Sequence, residues 1–268
     1  KQAENVIETA LEAGIGYFDH ANIYARGKAE AVFGEVLKSR PELRELIFLQ
    51  TKCGIRLPGD PPECQQGHYD FSRKHILRSV EDSLKRLNTD CIDMLLLHRP
   101  DPLVEPEEIS NVFEQLKKSG KVKKFGVSNH TPSQIALLQK FLTVPIVVNQ
   151  MEFHLLHSGM LDGGIAGAKT PLDPLGLEGT IEYCRLHDIR IQAWSPVAKG
   201  ILSGQNYKGK NEKLKTQILK CSKRIKELSS KHEVPTEAIV VAWILFHPAK
   251  IIPVLGSKNP ERIRNCAK

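Results

Sequence analysis

The sequence has no long apolar run. Nothing in it approaches the ~18 consecutive apolar residues that a membrane-spanning helix needs, and its opening residues do not resemble a secretion signal. Membrane association is therefore not expected. Its six cysteines (Cys53, Cys64, Cys91, Cys184, Cys221 and Cys266) are scattered, with no Cys-x-x-Cys pair and no zinc spacing. They read as free thiols in a reducing compartment, so a cytoplasmic protein is expected. No Gly-x-Gly-x-x-Gly follows an early strand, which argues against an open doubly wound sheet with a phosphate-binding first turn. Aromatics make up only 6% and do not interleave with the basic residues. The net charge of +7 is thus not read as a nucleic-acid surface. Much of the excess lies between Lys199 and Lys231, the solvated face of a helix, and it suits a small anionic ligand better. His154-x-x-His157 has a metal-compatible spacing but sits in a loop without a convincing third ligand, so no metal is expected.

What is present is a regular alternation. Apolar residues at helical spacing over Gln2–Ala13 stop at Gly14, and a short strand then ends at Asp19. Further strands are predicted near residues 49, 95, 126, 147, 192 and 253, separated by helical segments over 30–39, 73–87, 106–119, 132 onward, 177–187, 212–230 and 236–246. Ser72 and Thr131-Pro132 are helix starts, and a last helix begins near Pro260. Residues 53–69 and 158–176, rich in glycine or proline, read as long loops. Alternating strands and helices with no linker argue for parallel strands with crossover helices in one domain over 1–268. The expected fold is the α/β (β/α)8 TIM barrel. Seven strands are counted where eight are needed, and the chain opens on a helix. The expectation is a barrel whose first strand is missing from these residues and whose last helix is cut short, so incomplete at both ends.

In such barrels the reactive groups sit at the C-terminal ends of the strands. Here those ends read Asp19, Lys52, His98, Ser128-Asn129, Gln150, Ser195 and Ser257, each after a mostly apolar run. Tyr24 follows Asp19 by five positions. A phenol is a poor proton donor near neutral pH unless something stabilises its anion. An ammonium does so, and a carboxylate would hold the ammonium in place. Tyr24, Lys52 and Asp19 brought to one spot would make an acid able to protonate an oxygen. The plain alternative is a structural Asp–Lys pair beside an unrelated tyrosine. The run of polar strand ends favours the site.

Laid out this way, the chain resembles the aldo-keto reductases across essentially its whole length. The carrying motifs are Phe18-Asp19-His20-Ala21-Asn22-Ile23-Tyr24, Thr51-Lys52-Cys53-Gly54 and Leu97-His98-Arg99-Pro100-Asp101. Gly126-Val127-Ser128-Asn129, Asn149-Gln150, Ala193-Trp194-Ser195-Pro196 and Gly256-Ser257-Lys258 complete them. The string His98-Arg99-Pro100-Asp101-Pro102 is similar to that of bacterial oxidoreductases of the family. The resemblance implies NADPH-dependent reduction of a small aldehyde or ketone by a tetrad of Asp19, Tyr24, Lys52 and His98. Tyr24 would be the general acid, Lys52 its activator, Asp19 the anchor of Lys52, and His98 the group that orients the carbonyl. It further implies that Ser128, Asn129 and Gln150 bind the nicotinamide amide and that Trp194 stacks under the ring. Ser195 and the backbone through Lys199 would meet the pyrophosphate. Ser257, Lys258 and Arg262 would hold the 2′-phosphate of NADPH. Asn265 and Cys266 stand where the family often has Glu and Asn near the adenine. Two rival readings remain at this stage. One is a nucleotide-binding regulator on the same fold with slow or no turnover. The other is a Schiff-base lyase with Lys52 as nucleophile. The substrate and the oligomeric state are not legible.

Overall fold

Strands buried on both faces read as continuous apolar runs, whereas strands with one wet face alternate. The run Ile92-Asp93-Met94-Leu95-Leu96-Leu97 is of the first kind, and in a computed structural model of the chain it is a strand buried along its whole length. The structure describes residues 1–165 and 177–268, with the backbone alone at 163–165. Helix α1 (Gln2–Glu12) is followed by β1 (Tyr17–Asp19), α2 (Lys28–Ser39), α3 (Leu43–Leu46) and β2 (Phe48–Cys53). A short hairpin, β3 (Ile55–Arg56) with β4 (His68–Tyr69), precedes α4 (Arg73–Leu87) and β5 (Ile92–Leu97). Then come α5 (Pro106–Lys118), β6 (Val122–Ser128), α6 (Pro132–Phe141), β7 (Ile146–Glu152) and α7 (Gly159–Ile165). The order closes with α8 (Thr180–Leu186), β8 (Arg190–Trp194), α9 (Glu212–His232), α10 (Thr236–Leu245), β9 (Ile252–Val254) and α11 (Pro260–Cys266). No helix among the described residues is long and apolar enough to cross a membrane.

The chain forms two compact units: residues 1–4 with 15–149, and residues 5–14 with 150–268. In the first, the strand order is β1-β2-β5-β6 and then the start of β7, and the registered pairs are parallel. Parallel neighbours require long crossovers, which α2, α4, α5 and α6 supply. Its core is built on Leu49, Leu95, Leu97, Val127 and the stacked rings of Phe113 and Phe125, whose centroids lie 4.0 Å apart. In the second, the order runs from β7 to β8 to β9, with β8 and β9 parallel. Ala198, Leu202, Ile225 and Val240 form its buried cluster.

The expected seven strands are present. Ser72 caps α4, its hydroxyl accepting from His75 N at 3.3 Å, and Thr131 with Gln134 forms a reciprocal cap on α6. Strand β7 runs on to Glu152, so Gln150 lies within the strand and not at its end as expected, and two loop expectations are corrected. The segment 53–69 is not all loop, because Arg56 pairs with His68 and Ile55 with Tyr69 in an antiparallel hairpin. Part of the expected 158–176 loop is the helix Gly159–Ile165, and the remainder lies outside the described residues.

Candidate active site

Strand alternation puts Gln50 and Lys52 of β2 on one face, two residues apart. Parallel pairing of β1 with β2 sets Asp19 opposite Gln50. Lys52 is 0% exposed, and its ammonium has three hydrogens to place. One goes to Asp19 Oδ2 at 2.6 Å, one to the His20 carbonyl at 2.9 Å and one to Tyr24 Oη at 3.1 Å. Burying a charge pair is costly unless every remaining polar group finds a partner. The second carboxylate oxygen of Asp19 accepts from Gln50 Nε2, and Gln50 Oε1 in turn accepts from Tyr17 Oη at 2.6 Å. The pair is therefore fixed from both ends.

Tyr24 begins a short turn that follows β1, and it is 39% exposed. Its oxygen accepts from Lys52, which leaves its own O–H to donate outward. The ammonium also lies 4.9 Å from the centre of the Tyr24 ring. His98 follows β5, and its ring meets that of Tyr24 edge-on, with centroids 5.8 Å apart. Burial, and then the positive charge of Lys52, push the His98 pKa down to about 3. His98 is therefore a neutral imidazole at any working pH. Its Nδ1 is buried and meets no partner among the described residues, so Nε2 is the nitrogen left to meet a ligand. A buried ammonium, an exposed phenol and a neutral imidazole make a site that can give a proton to an oxygen and polarise it. Among the described residues no group of three or more metal-ligating side chains occurs. His154 and His157 instead close a tight turn through paired backbone hydrogen bonds of 3.2 and 2.8 Å.

The four residues expected to act together are thus brought together in one unit. Ser128 ends β6, fully buried, and Asn129 follows in the left-handed region at φ 62°. Asn129 Nδ2 donates to the His98 carbonyl at 3.1 Å and to Ser128 Oγ at 2.9 Å, which ties this turn to the tetrad. In the second unit, the buried Gln150 donates to Gln192 Oε1 at 2.8 Å, and Trp194 ends β8. Ser195, Ala198 and Lys199 all have positive φ, and the chain after β8 coils tightly, with Ala198 N donating to the Ser195 carbonyl at 2.8 Å and Gly200 N to the Val197 carbonyl at 2.9 Å. Gln205, with its amide oriented to satisfy its neighbours, donates to the Lys199 carbonyl at 2.9 Å and accepts from Arg262 Nη1 at 3.1 Å. Ser257 Oγ accepts from Asn259 N at 3.1 Å, next to the cap of α11, and Lys258 is exposed. Among the described residues neither Lys258 nor Arg262 pairs with a carboxylate, so two cations there are available to an anion.

Sequence reasoning missed Gln50, the His20 carbonyl and Gln205. For Gln50 a signal existed: a polar side chain two residues before Lys52 in a buried strand shares its face. A backbone acceptor such as the His20 carbonyl leaves no trace in the residue type.

The model of the aldo/keto reductase family matches residues 1–268. The chain is 40% identical over 261 residues to the uncharacterized oxidoreductase YcsN of Bacillus subtilis strain 168, covering 97% of this chain and 79% of that protein. It is 38% identical over 262 residues to a 6-dehydroglucose reductase of Agrobacterium fabrum strain C58, covering 97% of this chain and 80% of that one. Among solved structures, an aldo/keto reductase from Klebsiella pneumoniae in complex with NADP and acetate superposes with a TM-score of 0.71 at 21% identity. That superposition covers 99% of this chain and 78% of the other, and it is a likeness of fold, the α/β barrel of parallel strands.

Proposed function

Since the chain belongs to the aldo/keto reductase family and is an oxidoreductase of that family, we propose that it reduces a small aldehyde or ketone to the alcohol with NADPH, using Tyr24 as proton donor. The observation that carries the reading is the Lys52 ammonium, with all three hydrogens placed on Asp19, the His20 carbonyl and Tyr24 Oη. The nicotinamide nucleotide, when bound, supplies the hydride. Tyr24 gives its phenolic proton to the carbonyl oxygen as negative charge grows there. The Lys52 ammonium, held by Asp19, stabilises the phenolate left behind until solvent returns the proton. His98, neutral, donates from Nε2 to the same oxygen and orients it.

For the cofactor, Ser128, Asn129, Gln150 and Trp194 are the residues proposed to meet the nicotinamide. Ser195 and the backbone through Lys199 are proposed to meet the pyrophosphate, where positive φ at Ser195 and Lys199 supports the fit. Ser257, Lys258 and Arg262 are proposed to take the 2′-phosphate, a fit supported by two cations that meet no carboxylate among the described residues. The NADP-bound Klebsiella protein and the dehydroglucose reductase from Agrobacterium support the cofactor and the carbonyl chemistry respectively.

The lyase reading fails on Lys52 itself. A Schiff-base nucleophile must expose a free amine, whereas this nitrogen is fully buried and donates in three directions. The regulator reading is separated by turnover. With a panel of aldehydes, the protein should consume NADPH catalytically and NADH far more slowly. Nucleotide binding without consumption would support the regulator, and a preference for NADH would remove Lys258 and Arg262 from the site.

A further inference from the structure

Three catalytic strand ends of the first unit converge on one aromatic residue that the mechanism does not use. Phe71 lies at the entrance to α4 and is 3% exposed. Its ring packs against the backbone of Gly54, two residues past Lys52. A Cβ added at Gly54 would stand 2.4 Å from Phe71 Cε1, and Gly54 is also at φ +100°, a conformation that disfavours any side chain. Asp70 N, one residue before, donates to the Gly54 carbonyl at 3.0 Å. Phe71 N donates to Asp101 Oδ2 at 3.0 Å, and Asp101 lies three residues past His98. The other oxygen of that buried carboxylate accepts from Leu103 N at 2.9 Å, so Asp101 spends itself on holding backbone. The ring of Phe71 lies parallel to that of His130, at an interplanar angle of 6° and with centroids 6.2 Å apart. His130, 2% exposed, bonds the Ser128 carbonyl through Nδ1 at 2.9 Å, and its own carbonyl accepts from Asn149 Nδ2 at 2.9 Å.

We propose that Phe71 is a positioning residue that sets the spacing between the Lys52, His98 and Ser128-Asn129 strand ends. One flat side chain touches Gly54 on the Lys52 side and faces His130 on the Ser128 side, while its backbone is tied to the His98 side through Asp101. Displacement of any one of these ends moves a proton donor, its activator or the proposed nicotinamide contacts. A shift of about 1 Å in such a group costs up to ~100-fold in rate. Burial holds the His130 pKa down to about 4, so the imidazole facing Phe71 is neutral and its Nδ1–H remains committed to Ser128.

The inference rests on the reductase reading, and the test keeps the two apart. Phe71→Leu keeps most of the volume and loses the flat ring. Its comparator is Phe113→Leu, which removes a fully buried ring stacked on Phe125 in the same unit and away from the strand-end turns. Both variants should lower the urea midpoint. Only Phe71→Leu should lower kcat, by at least ~10-fold, with KM for the carbonyl changed less than ~3-fold. Turnover in Phe71→Leu within ~2-fold of wild type, or an equal loss of kcat in both variants, would overturn the proposal. If the wild-type protein consumes no NADPH, the reductase reading fails. Phe71 is then judged by the imidazole proton resonances of His130, which should shift in Phe71→Leu and not in Phe113→Leu. Unchanged His130 resonances would overturn the proposal on that arm.

Discussion

At the scale of single residues, the site is organised by burial of groups that water would otherwise stabilise. The Lys52 side chain can be fully buried because its nitrogen has three oxygens within 3.1 Å to donate to. The histidines near it take the opposite solution. Burial pushes His98 to about 3 and His20 to about 4, and His130 is likewise held at about 4. In the unfolded chain each would titrate near ~6.5. Between the two values the unfolded state binds protons that the folded state refuses, so stability is full above ~6.5 and falls as pH drops toward 4. The urea midpoint should therefore be lower at pH 5 than at pH 7, and equal midpoints would mean that these imidazoles are not buried neutral. Asp19, Lys52 and His98 were legible in the sequence because each is a polar residue closing a mostly apolar run, and Tyr24 because it follows Asp19 by five positions. Phe71 and His130 were not, since a buried aromatic and a buried imidazole look like ordinary core and loop until their neighbours are known.

At the scale of elements, the crossing of α2 and α4 shows how tightly the scaffold behind the site is specified. Glu30 of α2, 0% exposed, accepts from Thr51 Oγ1 at 2.6 Å on β2 and from Arg86 Nε at 2.8 Å on α4. The next turn of α2 brings Gly34 onto the end of α4. A Cβ at Gly34 would stand 2.0 Å from the Arg86 carbonyl oxygen, a contact only a backbone shift could relieve. Gly34→Ala should therefore destabilise the protein by roughly 3 kcal/mol, the upper part of the range for overpacking, despite the better helix propensity of alanine. Chemical denaturation measures this directly, and a variant as stable as wild type would show that the helices separate freely. The long elements were readable because apolar periodicity reports them. The β3–β4 hairpin was not, because two-residue strands carry no period, and β6 begins earlier than expected because Lys123 and Lys124 interrupt its apolar run with exposed side chains. The polar reach of Lys123 is used nonetheless: it meets Asp93 Oδ1 at 2.7 Å.

At the scale of the molecule, the strand ends of the first unit carry the residues proposed for proton transfer, and those of the second carry the residues proposed for the nucleotide phosphates. Order along the chain made this division visible, since the motifs around Asp19, Lys52 and His98 precede those around Ser195 and Ser257. Substrate choice stayed illegible. The loops that would set it, including the part outside the described residues, follow no general code relating residue type to ligand. The proposed role of Tyr24 as proton donor is open to one direct comparison. Carbonyl-dependent oxidation of saturating NADPH should be followed for the wild-type protein and for Tyr24→Phe, with nucleotide binding measured in both. Binding should persist in the variant while kcat falls by at least ~100-fold, the loss typical of a missing general acid. Turnover of Tyr24→Phe at the wild-type rate would contradict that role.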